Sequence, residues 1–405
     1  MKFDDYYESE YNPKRLKYIK IIVLILFGAI LSHLLRPYIF KKTIENKSSV
    51  DAQTILEKKL DGLPEYERAV IEATQKAIPA VVSILTYGTQ DVVYRFRDPF
   101  LDMLWGGRVG GRRPISATGS GVIVDPNGTI ITNDHVIGIS RDTRVKWQVT
   151  LPDGRRFDAK LVKRFPMQDI AILTIDGKGL PYMKFGSSAD VIQGQTALAI
   201  GNPFGHAFSE GSPVSEPTVT RGIISAKRRS MKFDAQGVSR YYRNMLQTDA
   251  SINEGNSGGA LIDIHGNLIG INTAIYTAGG TGSIGIGFAI PSDRIKLILE
   301  RVEQYGDIGT PYIGINVEEM TQAMKEALDI EEHSGIIITT VEDGSPGEKS
   351  GFKRGDVIIR INGLDVSSVE DARKTFRGAI PGEIYTLTIF RDGKIYEQSL
   401  TLGSQ

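Results

Sequence analysis

The chain opens polar, turns apolar once, and then settles into short alternating runs. Residues 1–20 are polar and end in the basic cluster Lys14, Arg15, Lys17 and Lys20. The apolar run Ile21–Leu31 follows and thins through Ser32 and His33 to Phe40. Its strict core has the length of a signal-peptide hydrophobic region, yet no small-x-small cleavage pattern comes after it. The pattern therefore predicts an uncleaved transmembrane anchor over residues 18–40, with a cytoplasmic tail over 1–17 and a polar linker over 41–65. The basic flank puts the N-terminus inside, and Arg36, Lys41 and Lys42 beyond the run weaken that bias.

From Val70 the spacing predicts a short helix ending before Pro79. Short β-branched runs follow: Ala80–Thr86, Gly121–Val124, Thr129–Thr132, Val145–Leu151, Asp169–Ile175 and Ala197–Ile200. Short strands separated by turn signals predict a mainly β fold, a barrel or a sandwich. Asp125-Pro-Asn-Gly128 and Asp263–Asn267 have hairpin-turn composition. The Gly- and Arg-rich stretch Phe96–Ser116 reads as a long loop, and residues 292–305 as an amphipathic helix closing this unit. Near residue 306 the pattern changes. A second β-rich unit, 306–405, shows Gly turns and two helices, over about 321–328 and 368–379.

Composition narrows the chemistry. Among 405 residues, Lys+Arg and Asp+Glu are both 48, so no global basic field exists to attract nucleic acid. There is no cysteine, which excludes thiol catalysis, disulfides and Cys-ligated metal but fixes no compartment. The five histidines, His33, His135, His206, His265 and His333, are scattered, and no P-loop is present. Neither a metal nor a cofactor is expected.

Three segments carry candidate chemistry. In Ile130-Ile-Thr-Asn-Asp-His135, a β-run delivers a histidine to a strand end. In Gln168-Asp169-Ile-Ala-Ile-Leu, an acid immediately precedes an apolar strand. In Asn253-Glu-Gly255-Asn-Ser257-Gly-Gly, a serine sits inside a glycine-rich turn. A serine hydroxyl becomes a nucleophile when a histidine takes its proton and a carboxylate orients that histidine. The glycines would let the amides of Gly255 and Ser257 point inward as an oxyanion hole. Each segment alone reads equally as a strand end, a cap or a turn; the order His, Asp, Ser makes the set a candidate triad.

Over residues 66–405 the chain resembles the HtrA/Deg family of serine proteases. The motifs are Gly119-Ser-Gly-Val-Ile-Val, Thr132-Asn-Asp-His135-Val, Asp169-Ile-Ala-Ile-Leu, Gly201-Asn-Pro-Phe-Gly, Gln247–Leu261 around Ser257, and Gly285–Pro291. The resemblance implies a trypsin-like protease domain, 66–305, of two six-stranded β-barrels with His135, Asp169 and Ser257 at their interface. Asp134 stands where the family usually has Asn; it either acts on His135 through its charge or caps a short helix. Ser251 would lie near the base of the S1 pocket, which would then favour small aliphatic P1 residues. Lys227–Arg243 matches the family's sensor loop in position, and reads otherwise as a solvated loop.

In the C-terminal unit, Pro311-Tyr-Ile-Gly-Ile315, Gly344–Gly351 and Lys353–Gly363 resemble a PDZ domain of the type attached to HtrA proteases. Tyr312, Ile313, Gly314 and Ile315 would cradle a peptide's C-terminal carboxylate, with the peptide added as a strand. Anchor, protease and one PDZ domain together resemble the DegS-like type. That implies a homotrimer in a bacterial inner membrane, catalytic and PDZ domains on the periplasmic side, cutting misfolded or regulatory envelope proteins. A barrel that holds unfolded chains without cutting them, and a PDZ-led scaffold with a vestigial protease, are the competing readings.

Overall fold

The computed structural model describes residues 60–93, 109–138, 143–203, 216–235, 238–273, 283–327 and 335–405. The anchor read over 18–40 lies outside them, as do His33, His206 and His333. Among the described residues no helix is long and apolar enough to cross a membrane.

Helix α1 (Glu65–Ala77) begins earlier than the pattern from Val70 indicated and runs into a 3-10 turn, Ile78–Ala80, that contains Pro79. Two closed barrels follow. The first holds β1 (Val81–Val93), β2 (Val109–Ile123), β3 (Thr129–Thr132), β4 (Thr143–Thr150), β5 (Arg156–Phe165) and β6 (Ile170–Ile175), in the order β1-β2-β3-β6-β5-β4. The second holds β7 (Thr196–Gly201), β8 (Thr218–Ala235), β9 (Val238–Thr248), β10 (Ala260–Ile262), β11 (Leu268–Thr273) and β12 (Gly287–Pro291), in the order β10-β11-β12-β9-β8-β7.

A strand sends successive side chains to opposite faces, and here both faces are buried. On β6, Ala171, Leu173 and Ile175 fill the first barrel, while Ile170 and Ile172 face a cluster shared between the barrels. On β7, Ala197 and Ala199 fill the second barrel, and Leu198 and Ile200 join the shared cluster. Strands buried on both sides read as unbroken apolar runs, which is how these two appear in the sequence. Val81, Val122, Ile131, Ile262 and Ile271 complete the seam. Each such side chain contributes about 1.5–3 kcal/mol by leaving water.

Three segments differ from the sequence reading. Phe96–Ser116 is not one loop, because from Val109 the chain is β2, paired with β1 from Val109↔Val93 to Ser116↔Tyr87. Strand β5, absent from the sequence reading, alternates partly buried positions with the exposed Arg156, Asp158 and Lys160, the pattern of a half-buried strand. Most of Lys227–Arg243 lies in the long β8–β9 hairpin, with Met231↔Tyr242 and Lys232↔Tyr241 in register. Ladder pairing decides the other two stretches, and their side-chain pattern carries little of it.

Helix α2 (Ser292–Tyr305) lies where the amphipathic pattern put it and ends on Gly306 in the left-handed conformation. Beyond it come β13 (Pro311–Tyr312), β14 (Ile315–Glu319), α3 (Gln322–Ala327) and β15 (Ile336–Val341). Then follow α4 (Pro346–Lys349), β16 (Val357–Ile361), β17 (Leu364–Asp365), α5 (Val369–Phe376), β18 (Ile384–Arg391), β19 (Lys394–Thr401) and β20 (Gly403–Ser404). The main sheet runs β14-β15-β16-β18-β19, so β14 is an edge strand, and α5 lies beside it. Helix α4 was not foreseen; Ser345 caps it by accepting from the Glu348 amide, with Pro346 at its start.

The seam generates a direct test. Ile131→Ala, at a fully buried position, should cost about 2–5 kcal/mol in urea unfolding. Val162→Ala, 49% exposed, should change stability by under about 0.5 kcal/mol.

Candidate active site

Strand β3 ends at Thr132, and His135 sits in the turn that follows. Asp169 lies just before β6 with φ 55, a region uncommon for any residue but glycine and one that Asp enters more readily than most. Two bonds hold it there: Asn133 Nδ2 donates to the Asp169 carbonyl (3.1 Å), and the His135 amide donates to Oδ1 (3.1 Å). The imidazole Nδ1 then stands 2.9 Å from Oδ2 and 3.0 Å from Oδ1. The Asp169 side chain is fully buried and that of His135 is 32% exposed, so the pair has one dry end and one open end.

More groups converge on Asp169. Tyr242 Oη (2.9 Å) and Thr273 Oγ1 (3.2 Å) donate to Oδ2, and Arg240 Nε lies 3.2 Å from Oδ1. Burial by itself pushes the carboxyl up; His135 first, then Arg240 and Tyr242, outweigh it and hold the group below its ordinary value. Burial, followed by the Asp169 charge, pushes the Tyr242 phenol up, which keeps it a donor. Asp134 caps no helix, because residues 134–137 form a turn. It is buried and takes Arg164 at both oxygens (Nε to Oδ1 2.7 Å, Nη2 to Oδ2 3.0 Å), with Arg240 Nη2 at 3.8 Å.

Ser257 is buried in the turn before β10, and Ser120 on β2 ties that turn to the first barrel. The Ser120 amide donates to the Ser257 carbonyl (2.9 Å), and its Oγ donates to the Gly255 carbonyl (2.7 Å). Thr132 Oγ1, three residues before His135, donates to the Ser120 carbonyl (2.7 Å). Gly258 has φ +83, and a Cβ there would lie 2.1 Å from the Ser120 oxygen and 2.4 Å from Thr132 Oγ1. Only glycine allows this approach, so the Ser257 turn and the His135 turn meet across one strand. The Asn256 carbonyl accepts from the Gly259 amide (3.0 Å). Three successive peptide planes, from Gly255 to Gly258, are therefore anchored. Among the described residues no hydrogen bond holds the plane between Glu254 and Gly255, which carries the Gly255 amide.

The Ser251 carbonyl accepts from Thr220 Oγ1 (2.8 Å), between the buried Ala250 and Ile252. Asn253 Oδ1 accepts from the Ser283 amide (2.8 Å), which joins this wall to the segment leading into β12. In the C-terminal unit, Tyr312 donates to Glu342 Oε2 (2.5 Å), the Ile313 carbonyl accepts from Gly347 (2.8 Å), and that of Gly314 accepts from Glu342 (2.9 Å). These bonds fix the Tyr312–Ile315 turn, from which edge strand β14 starts. Ile313, Ile315, Val317, Val369 and Phe376 line that side of the domain's core.

Sequence reasoning missed Ser120, Arg240, Tyr242 and Thr273. Ser120 did stand inside a quoted glycine motif; Arg240 and Tyr242 lay in a stretch read as a loop, where nothing marked them.

Residues 119–271 match the family model of the trypsin-like peptidase domain, and residues 311–402 that of the PDZ domain. A probable periplasmic serine endoprotease, DegP-like, of Chlamydia pneumoniae is 34% identical over 377 residues, covering 89% of this chain and 72% of that protein. The periplasmic pH-dependent serine endoprotease DegQ of Escherichia coli (strain K12) is 37% identical over 336 residues, covering 82% and 69%. Among solved structures, the HtrA-type protease AlgW with decapeptide aligns at TM-score 0.52 and 34% identity, covering 83% of this chain and 98% of that one.

Because the folded Asp169 carboxyl is depressed, its contribution to stability is present above the ordinary carboxylate value of about 3.9 and lost as pH falls through the lower folded value. Asp169→Asn removes that contribution at every pH. Urea unfolding of the Asn variant should therefore lose less stability between pH 7 and about pH 3 than the unsubstituted protein does. Equal losses in the two proteins would contradict the depressed value.

Proposed function

The chain belongs to the HtrA family of serine proteases, and from that premise we propose that it is an extracytoplasmic endopeptidase whose catalytic triad is His135, Asp169 and Ser257. The observation that carries the reading is the contact of His135 Nδ1 with a fully buried Asp169 carboxylate at 2.9 Å. That contact assigns the Nδ1 proton to the bond and leaves Nε2 with its lone pair. Nε2 takes the Ser257 proton as Oγ attacks the scissile carbonyl, then returns it to the leaving amine. Water repeats the cycle on the acyl-enzyme. Asp169 stays ionised and stabilises the imidazolium. The Gly255 and Ser257 amides receive the oxyanion.

The uncharged wall at Ala250, Ser251 and Ile252 supports a preference for small aliphatic P1 residues, so the substrates are polypeptides with such sites exposed. The relatives named periplasmic serve the placement outside the cytoplasm. The basic residues before 18–40 support a single-pass anchor, and family membership a homotrimer. The competing reading, a barrel that holds chains without cutting them, lacks a comparable observation.

The PDZ groove regulates this activity. A free C-terminal carboxylate meets the amides of the Tyr312–Ile315 turn, the peptide pairs with edge strand β14, and an apolar last residue packs on Ile315, Val317 and Phe376. The response can be no larger than the peptide's differential affinity for the two states of the protease.

Two outcomes are expected. Ser257→Ala in the full-length, detergent-solubilised chain should lose at least about a thousandfold in casein cleavage while still binding peptide; undiminished turnover removes the triad assignment. A peptide with a hydrophobic C-terminus and free acid should raise cleavage of a substrate that lacks a PDZ ligand, by about tenfold per 1.4 kcal/mol of coupling. The same peptide as a C-terminal amide should not. Equal rates with acid, amide and no peptide would reduce the groove to a recruiting site.

A further inference from the structure

Strand β9 carries two side chains to the acid. Tyr242 donates to Oδ2 at 2.9 Å, and Arg240 Nε stands 3.2 Å from Oδ1. We propose that Arg240 and Tyr242 are positioning residues for catalysis, which from one face of β9 fix the plane of the Asp169 carboxylate so that it presents to His135 Nδ1. This rests on the triad reading and adds to it the means by which the acid is held.

The geometry separates this role from ordinary packing. Residues 240 and 242 are two apart on a strand and share a face, and each meets a different oxygen of the same carboxylate. His135 Nδ1 and Tyr242 Oη hold the carboxylate through hydrogen-bond contacts, and Arg240 Nε, which makes no hydrogen bond, adds an ionic contact. Strand β9 is itself registered against the acid, because the Tyr241 amide donates to the carbonyl of Met167, two residues before Asp169 (2.9 Å). Its other face is pinned by the C-terminal domain. Arg243 Nη1 donates to the Arg377 carbonyl (2.9 Å) and lies 5.3 Å over the Tyr385 ring. Gly378 comes so close that a Cβ would stand 2.5 Å from Tyr241 Cβ.

Charge arrangement points the same way. Among the described residues, the groups facing Asp169 are the half-buried His135 and the buried Arg240 and Tyr242, with Thr273 as a neutral donor; Asp134 and Arg164 stand behind Arg240. Arg240 is the cation between two buried carboxylates. Without it, Asp134 keeps Arg164 while Asp169 keeps only neutral donors and the histidine. Thr273 and His135 Nδ1 still reach Oδ2 when the Tyr242 hydroxyl is removed, so Tyr242→Phe loses one contact of the three on that oxygen.

The test uses the full-length chain in detergent, with Tyr242→Phe, Arg240→Gln, Arg240→Lys and, as references, Asp169→Asn and Ser257→Ala. It reads kcat and KM on a peptide substrate, the rate of Ser257 phosphonylation by a fluorophosphonate, and the far-downfield proton resonance of His135 Nδ1. Tyr242→Phe should lower kcat and phosphonylation about tenfold, the scale of one hydrogen bond to a charged group, with KM unchanged and the resonance displaced. Arg240→Gln should do the same or more, and Arg240→Lys should recover part of the loss. If Arg240→Gln does not fold, Tyr242→Phe decides. Wild-type kcat and an unmoved resonance in Tyr242→Phe, beside an inactive Asp169→Asn, overturn the positioning role and leave the triad intact. Full turnover by Asp169→Asn and Ser257→Ala overturns the triad reading, and this proposal with it.

Discussion

A carboxylate withdrawn from water costs several kcal/mol unless it is paired and fully hydrogen-bonded, and Asp169 is withdrawn completely. Most of the site's architecture follows from satisfying that one charge. Its partners come from the His135 turn, from β9 and from the end of β11. These elements belong to both barrels, so the charge can be satisfied only when the barrels are docked. The apolar seam supplies the docking energy, and the carboxylate supplies its register.

Ser120 does for the serine what β9 does for the acid. One residue of β2 bonds the carbonyls of Gly255 and Ser257 and is itself bonded by Thr132. Three of the turn's peptide planes are thus anchored, and among the described residues no hydrogen bond holds the plane between Glu254 and Gly255.

The C-terminal domain reaches this machinery through charge as well as contact. Arg294 on α2 pairs with Glu383 (2.8 Å) and donates to the Gly378 carbonyl (2.6 Å) while 8% exposed. Ile380 from the same segment is buried in the cluster that joins the barrels. Interfaces between domains of one chain are ordinarily polar; this loop of the C-terminal domain adds to a buried ion pair an isoleucine in the apolar cluster.

The sequence by itself determined the local features. Apolar runs marked strands β3, β6 and β7, an amphipathic repeat marked Ser292–Tyr305, and Asp-Pro-Asn-Gly and Asp263–Asn267 marked turns, because each depends on neighbours a few residues away. The motifs around His135, Asp169 and Ser257 were legible for the same reason, as were the glycines that let Ser257's turn approach β2. What only the tertiary structure decided depends on residues far apart in the chain. The β8–β9 hairpin exists through ladder pairing, and its charged sequence with shifted register does not announce it. Asp134 has its role from Arg164 and Arg240, 30 and 106 residues away. Arg240 and Tyr242 face the acid because β9, a strand of the second barrel, lies against the first barrel and the C-terminal domain, and a buried charge accepts whichever donors the fold brings to it.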